Sequence, residues 1–387
     1  MASKNSSHGV SGHLARSEIE RRVHSACNRI SSLDVGKFVD ASTPLKILSE
    51  EGLLQLGFLS GDVAEIGPDD IEQACWTLEF LAGSSAGAAS AYMVNTVLGA
   101  AVIAMMGTPE QRKDLLRRAS SGDLQLAFGM TEPNAGSDAG SMATTCLSVD
   151  DGFVLNGDKI YTTGAASADF LLVVARNAGG DANDRSFSIL LVPGKAQGLT
   201  VKPLRNLAGH AHTSCEVALR DVRVPATSVL GGSKGFGKAW ATLRETGSLE
   251  RLVVSFLARG LARSIVGRAV EFAKQRQQFG KPISSFQAIQ HTLVEMTVIE
   301  HAMQLFCEGA LSSLKSGADT TREIPMAKYF CSEQLQRLIS HGMRVMGGRA
   351  YFDFEEMARY YLEAPFSLYA GGTVEIQKML IARTMGI

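Results

Sequence analysis

The chain has no excess of either charge. Its 38 Lys and Arg against 39 Asp and Glu leave a net charge of -1. No overall field therefore draws it to nucleic acid or to an anionic membrane. Cysteine is sparse and scattered. The six residues (Cys27, Cys75, Cys146, Cys215, Cys307, Cys331) form no CxxC pair and have no histidine at ligand spacing. A disulfide framework or a metal site is not expected, and a reducing cytoplasm is. No apolar run reaches the roughly 18 residues of a membrane span. The opening MASKNSSHGVSGHLARSEIERR lacks the apolar core of a secretory signal, and residues 1–13 read as a disordered lead. No period of roughly 20 to 50 residues recurs, which excludes a solenoid.

What remains is the profile of a globular protein, 45% hydrophobic and 20% charged over 387 residues. That length exceeds one ordinary core, so two or three packed units are expected. Residues 14–124 read as helices. Ile71–Leu81 carries apolar residues at helical spacing, and Ala86–Met106 is a small-residue helix that has to be buried. Thr108-Pro109-Glu110 looks like an N-cap with proline in the first turn. In residues 125–232 the pattern changes to short strands at 170–175, 186–192 and 215–219, separated by turn residues. The helical period returns in residues 233–387, with long stretches at 249–278, 285–316 and 326–346.

Five motifs punctuate this order. Residues 127–137 read AFGMTEPNAGS, where Pro133 turns Glu132 away from the helical region and makes a loop. Gly129, Gly136, Thr131 and Ser137 can bring amides and hydroxyls close to a flat or anionic ligand, although such runs are also ordinary turns. Residues 157–164, GDKIYTTG, put an aromatic ring beside two hydroxyls at a strand end. Residues 274–281, KQRQQFGK, look like a helix closing at Gly280. VMGG at 345–348 is a helix end, and AGGTVEIQ at 370–377 opens a last helix. His210 and His212, in Gly209-His-Ala-His212, read as surface histidines.

These motifs, in this order, resemble the acyl-CoA dehydrogenase family from about Leu45 to Arg383. The resemblance implies a mainly α fold with a β domain: an N-terminal helical domain, a middle β-barrel-like domain and a C-terminal four-helix bundle. It implies FAD between the last two. Phe128, Met130 and Thr131 would lie at the isoalloxazine, with Gly136 in the same loop, and Ser137 would meet the pyrophosphate or the substrate. Tyr161 takes the place of the aromatic over the flavin, and Thr163 that of the hydroxyl on N5. Arg276, Phe279, Gln287, Arg344 and Gly348 match positions that reach the FAD of a neighbouring subunit, which implies a homotetramer or homodimer. Thr373 and Glu375 match positions at the adenosine end. Arg344 and Glu375 stand where glutamine is common.

The implied reaction takes an α-proton from an acyl thioester and a β-hydride to the flavin. It needs enolate stabilisation and a desolvated carboxylate. The chain departs from the commonest pattern at this point. Gly371 occupies the usual place of the glutamate base and keeps only an amide N–H for the thioester carbonyl. The replacement is Glu250 in SLERL, which resembles isovaleryl-CoA-dehydrogenase-like members, though a first-turn acid of a helix would look the same. Arg251 and Ser248 match positions near the substrate's phosphopantetheine arm, where Ser248 replaces a frequent aspartate. Tyr92, Val94, Asn95 and Leu98 are expected to line the acyl pocket. The leading expectation is dehydrogenation of a short or branched acyl thioester, with electron-transfer flavoprotein or dioxygen as acceptor. The alternative is an acyl or aminoacyl group tethered to a carrier protein.

Overall fold

The computed structural model describes residues 13–32, 41–56, 66–178, 186–208 and 212–387. The expected disordered lead lies almost wholly outside these residues, as does His210.

The chain begins with helices α1 (Arg16–Ser31), α2 (Ser42–Glu50) and α3 (Pro68–Ser84). Next comes one continuous helical stretch of 21 residues, Ala86–Met106. It comprises α4 (Ala86–Tyr92), a π-helical segment (Met93–Ala100) and α5 (Ala101–Met106). By length and hydropathy this stretch does suffice to cross a membrane, contrary to the expectation from apolar runs. It is instead the buried core helix its small residues call for: 78% of its most apolar window lies inside the protein. Helix α6 (Pro109–Ser120) starts at a Thr108–Gln111 capping box with proline in the first turn.

The middle unit is a seven-stranded sheet of order β1-β4-β2-β3-β7-β6, with β5 pairing with β4. Its strands are β1 (Leu126–Gly129), β2 (Thr145–Val149), β3 (Gly152–Thr163), β4 (Phe170–Asn177), β5 (Phe187–Pro193), β6 (Leu199–Pro203) and β7 (Ser214–Pro225). Side chains alternate between two cores, as a strand's period of two requires. Leu171, Val173 and Ala175 of β4 fill the sheet's own core, whereas Leu172 and Val174 join the core shared with the helices. That alternation fastens the sheet to the helical units on one face only.

After a short α7 (Gly232–Gly235), α8 (Ala239–Gln275), α9 (Gln287–Lys315) and α10 (Glu323–Met346) pack side by side. Helices α11 (Glu356–Glu363) and α12 (Val374–Thr384) follow, and α12 lies on α10. The contact of α3 with α8 is backbone-close: a Cβ on Gly260 would fall 1.9 Å from the Glu79 carbonyl oxygen. Beside it the buried Glu79 carboxylate is shared by Arg16, at 2.9 Å, and Arg259.

Three expected boundaries move. Residues 127–129 are strand β1 rather than loop. The GDKIYTT run lies within β3, whose pairing with β7 is irregular between Leu155 and Gly157 and between Lys159 and Thr162. Helix α8 ends at Gln275, not at Gly280; residues 277–282 fold into a hairpin of β8 (Gln277–Gln278) and β9 (Lys281–Pro282). The turn of that hairpin holds Phe279 at φ +52°.

Candidate active site

Two strands build the first half of the site. The tight turn after β1 closes through reciprocal backbone bonds between Glu132 and Ala135, both at 3.1 Å. Glu132 is buried, and its carboxylate accepts the Ala143 and Thr144 amides at 2.6 and 2.9 Å. Lys159 on β3 is also buried and donates to Glu132 Oε1 at 2.8 Å and to the Met130 carbonyl at 3.0 Å. The Ile160 amide donates to the Thr131 carbonyl at 2.9 Å. Phe128, Met130 and Thr131 are thereby locked beside Tyr161 and Thr163.

Tyr161 is 65% exposed at φ +58°, an uncommon conformation for a bulky residue. Thr163 Oγ1 shares a 2.8 Å hydrogen bond with Ser214 Oγ. Thr162 Oγ1 is buried without a hydrogen-bond partner. Gly136 and Ser137 are exposed, and a Cβ on Gly136 would meet nothing within 4 Å. An open cradle of hydroxyls, an exposed ring and half-buried Phe128 and Met130 fit a flat heterocycle with a polar edge.

The second half sits between α8, α10 and the chain entering α12. Glu250 is not a first-turn acid, because α8 begins at Ala239 and has no acid in its first turn. The residue lies in the body of the helix. Gly371 packs against it: a Cβ there would lie 3.4 Å from the Arg251 N and Cα and 3.6 Å from the Glu250 carbonyl carbon. Burial pushes the Glu250 carboxyl above the usual range, while Arg251, the Gly371 N–H and Lys328 pull the other way. Burial also lowers Arg251, whose Nε is enclosed without a hydrogen-bond partner. Ser248 is half-buried one turn earlier on α8.

Gly371 and Gly372 have φ +68° and +88°, the left-handed region that favours glycine. Gln377 Nε2 holds this turn through the Gly372 and Thr373 carbonyls at 3.0 and 3.2 Å. Thr373 caps α12 by accepting the Ile376 amide, and Glu375 is exposed in the first turn.

Tyr92 does not reach a pocket. It has no accessible surface, and its hydroxyl lies toward Thr77 and Cys75, where burial raises it. It is the last residue of α4, and α4 packs on α3. The next polar residue, Asn95, is spent on pinning the π segment to β1, its Oδ1 accepting the Leu126 amide at 2.9 Å. Arg276, Phe279, Gln287, Arg344 and Gly348 stand exposed on the C-terminal unit, Phe279 at 91%. None of them hydrogen-bonds to this chain's own 128–163 segments. Val294, Val298 and Leu305 form an exposed apolar stripe on α9.

Family models for the N-terminal, middle and C-terminal domains of acyl-CoA dehydrogenase match residues 30–123, 127–222 and 237–386. The chain belongs to the acyl-CoA dehydrogenase family. It is 35% identical over 345 residues to a probable acyl-CoA dehydrogenase, YngJ, of Bacillus subtilis, covering 88% of each chain. Among solved structures it is similar to butyryl-CoA dehydrogenase from Megasphaera elsdenii: TM-score 0.87, 26% identity, 99% of this chain and 100% of that one. It is also similar to PigA with FAD and proline: TM-score 0.83, 25% identity, 96% and 98% covered. Like other acyl-CoA dehydrogenases it is an FAD-dependent oxidoreductase acting on CH–CH bonds, and the cradle described above fits that cofactor.

Sequence reasoning missed Lys328. Its signal was a lysine within IPMAKYFC, on the apolar face of a helix and in step with Ser332 and Gln336.

Proposed function

We propose that this acyl-CoA dehydrogenase removes the α-proton of a short or branched acyl thioester with Glu250. The observation that carries this reading is the contact of Gly371 with the Glu250–Arg251 backbone, which brings to the vacated base position a carboxylate that burial makes more basic. FAD supplies the acceptor for the β-hydride. Phe128, Met130, Thr131, Gly136, Ser137, Tyr161 and Thr163 hold it from this chain. Arg276, Phe279, Gln287, Arg344 and Gly348 serve the cofactor of a neighbouring copy, with Thr373 and Glu375 at the adenosine end. Their exposure, and that of the apolar stripe on α9, supports a homo-oligomer.

Glu250 starts ionised and accepts the proton, and its half-buried setting limits the hydration that would lower its basicity. Arg251 faces the growing negative charge on the thioester, and Ser248 lies toward the carrier arm. Six buried free cysteines support a reducing, cytoplasmic setting. Electron-transfer flavoprotein is the proposed acceptor of the electrons.

The test is anaerobic flavin bleaching against free CoA thioesters and carrier-bound thioesters, short, branched and long. Bleaching by a short or branched CoA thioester, lost in Glu250→Gln while FAD is retained, supports the reading. An unchanged rate in that variant removes Glu250 as the base. Bleaching only by carrier-bound groups assigns the alternative carrier.

A further inference from the structure

We propose that Lys328 is a positioning residue for Glu250: its ammonium ties down the turn that leads into Gly371, and its charge bears on the Glu250 carboxyl across the interface of α10 with α8. This rests on the reading of Glu250 as the base.

Lys328 lies on α10 with no accessible surface. Its Nζ donates to the Ser367 carbonyl at 2.6 Å, and Ser332 Oγ donates to the same oxygen at 2.7 Å. One turn on, Gln336 Nε2 donates to the Ala364 carbonyl at 2.8 Å. The three residues recur at intervals of four, so they share one helix face. Together they grip the 3-10 turn Ala364–Leu368. Three residues past that turn the chain reaches Gly371, whose backbone rests on Glu250 and Arg251.

Hydrogen bonding alone does not require a lysine here. The serine hydroxyl already satisfies the Ser367 carbonyl, and a neutral donor would complete it. A buried ammonium is costly, and burial draws this one down to about 8. Its charge is answered across the helix interface. The groups acting on it are Glu250 and Arg251 from α8, Glu375 from α12 and Glu333 from its own helix, and Glu250 is foremost among them. Both Arg251 and Lys328 favour the charged form of Glu250, from α8 and from the packed α10. The pair favours its ionised form before reaction. Once Glu250 has taken the proton, their charge is left unbalanced while the substrate's oxygen becomes negative. The lysine thus supports both the resting base and the developing enolate.

The test compares Lys328→Gln, which keeps a donor and removes the charge, with Ser332→Ala, which loosens the same carbonyl and leaves the charge. Lys328→Arg restores it. The readout is the pH profile of anaerobic flavin bleaching by the best thioester, with FAD content measured alongside. In Lys328→Gln the ascending limb is expected to move up by about one pH unit. In Ser332→Ala and Lys328→Arg it stays. Equal limbs in Lys328→Gln and Ser332→Ala would reduce Lys328 to a structural anchor and overturn the proposal.

Should Lys328→Gln not fold, the coupling is read from the other side. Titration of 15N-lysine resonances, with Lys328 assigned by the signal lost in Lys328→Arg, is expected to show that lysine titrating lower in Glu250→Gln than in the wild-type holoenzyme; no movement overturns the proposal. Full bleaching by Glu250→Gln would defeat the base assignment instead, and the titration judges the Lys328–Glu250 coupling independently of it.

Discussion

Lys159 Nζ lies 2.8 Å from Glu132 Oε1, and this buried pair is the bolt between the two segments of the proposed flavin cradle. Burial opposes the Glu132 charge, but bonds from Lys159, Thr144 and Ala143 outweigh it and hold the carboxyl below its usual range. Burial draws Lys159 down to about 8 against the pull of Glu132. Both remain charged at neutral pH, with every contact aimed at the turn between β1 and β2.

Removing the cation from this pair should be severe. Lys159→Met is expected to cost about 3–5 kcal/mol, because it strands a buried carboxylate. Thermal unfolding checks the stability, and the ratio of flavin to protein checks the cradle. Normal FAD content in a destabilised variant would separate the pair from the cofactor.

Activity should rise with pH later than an ordinary glutamate allows. Glu250 must be ionised to accept a proton, and burial raises its carboxyl. The ascending limb of kcat/KM is therefore expected above the usual glutamate value of about 4.3. The stability effect has the opposite sign to that of a salt-bridged acid. The folded state binds this proton more tightly than the unfolded chain, so the contribution of Glu250 falls as pH rises through that range. Glu250→Gln should remove this dependence and lower bleaching on the order of a hundredfold or more.

Glu355 offers the contrasting case. It is buried and holds Arg268 at 2.7 and 2.8 Å and Arg349 at 2.8 Å, tying the glycine-pair turn after α10 to α8. Arg268 foremost holds its carboxyl below the usual range. Its stabilisation is present above the unfolded glutamate value and is lost as pH falls through the folded one. Glu355→Ala should cost about 1–3 kcal/mol at pH 7, since the arginines left behind reach solvent, and flatten part of the acid limb of a thermal-midpoint profile.

At Gly371 the backbone itself is the constraint. Gly371→Ala places a Cβ at φ +68°, 3.4 Å from the Arg251 backbone. A loss of about 1–2 kcal/mol is expected from the left-handed conformation, measured by denaturant unfolding. Crowding of Glu250 should lower the bleaching rate as well, with FAD retained.

Much of this protein was legible in its residues. The small-residue run 86–106 announced a buried helix, and Thr108-Pro109 announced the start of α6. The short apolar runs at 170–175 and 186–192, bounded by turn residues, announced β4 and β5. The order of the five glycine-bearing motifs carried the resemblance to the acyl-CoA dehydrogenase family, and the resemblance implied FAD and the vacancy at Gly371. Local signals sufficed for the helices and strands because each depends on neighbours a few residues away.

Other features were not local. Where α8 begins depends on what its first turns pack against, so Glu250 resembled an N-terminal acid until the fold placed it in the helix body. Tyr92 seemed suited to a substrate pocket, yet the packing of α4 on α3 buries it completely. Lys328 looked like an ordinary helical lysine until α10, α8 and the Ala364–Leu368 turn enclosed it. Sequence by itself determined which chemical groups and backbone freedoms were available, since those are properties of residue type and short-range sterics. Only the tertiary structure decided which carboxylate lost its water and which cations faced it, because desolvation and charge coupling arise between elements far apart along the chain.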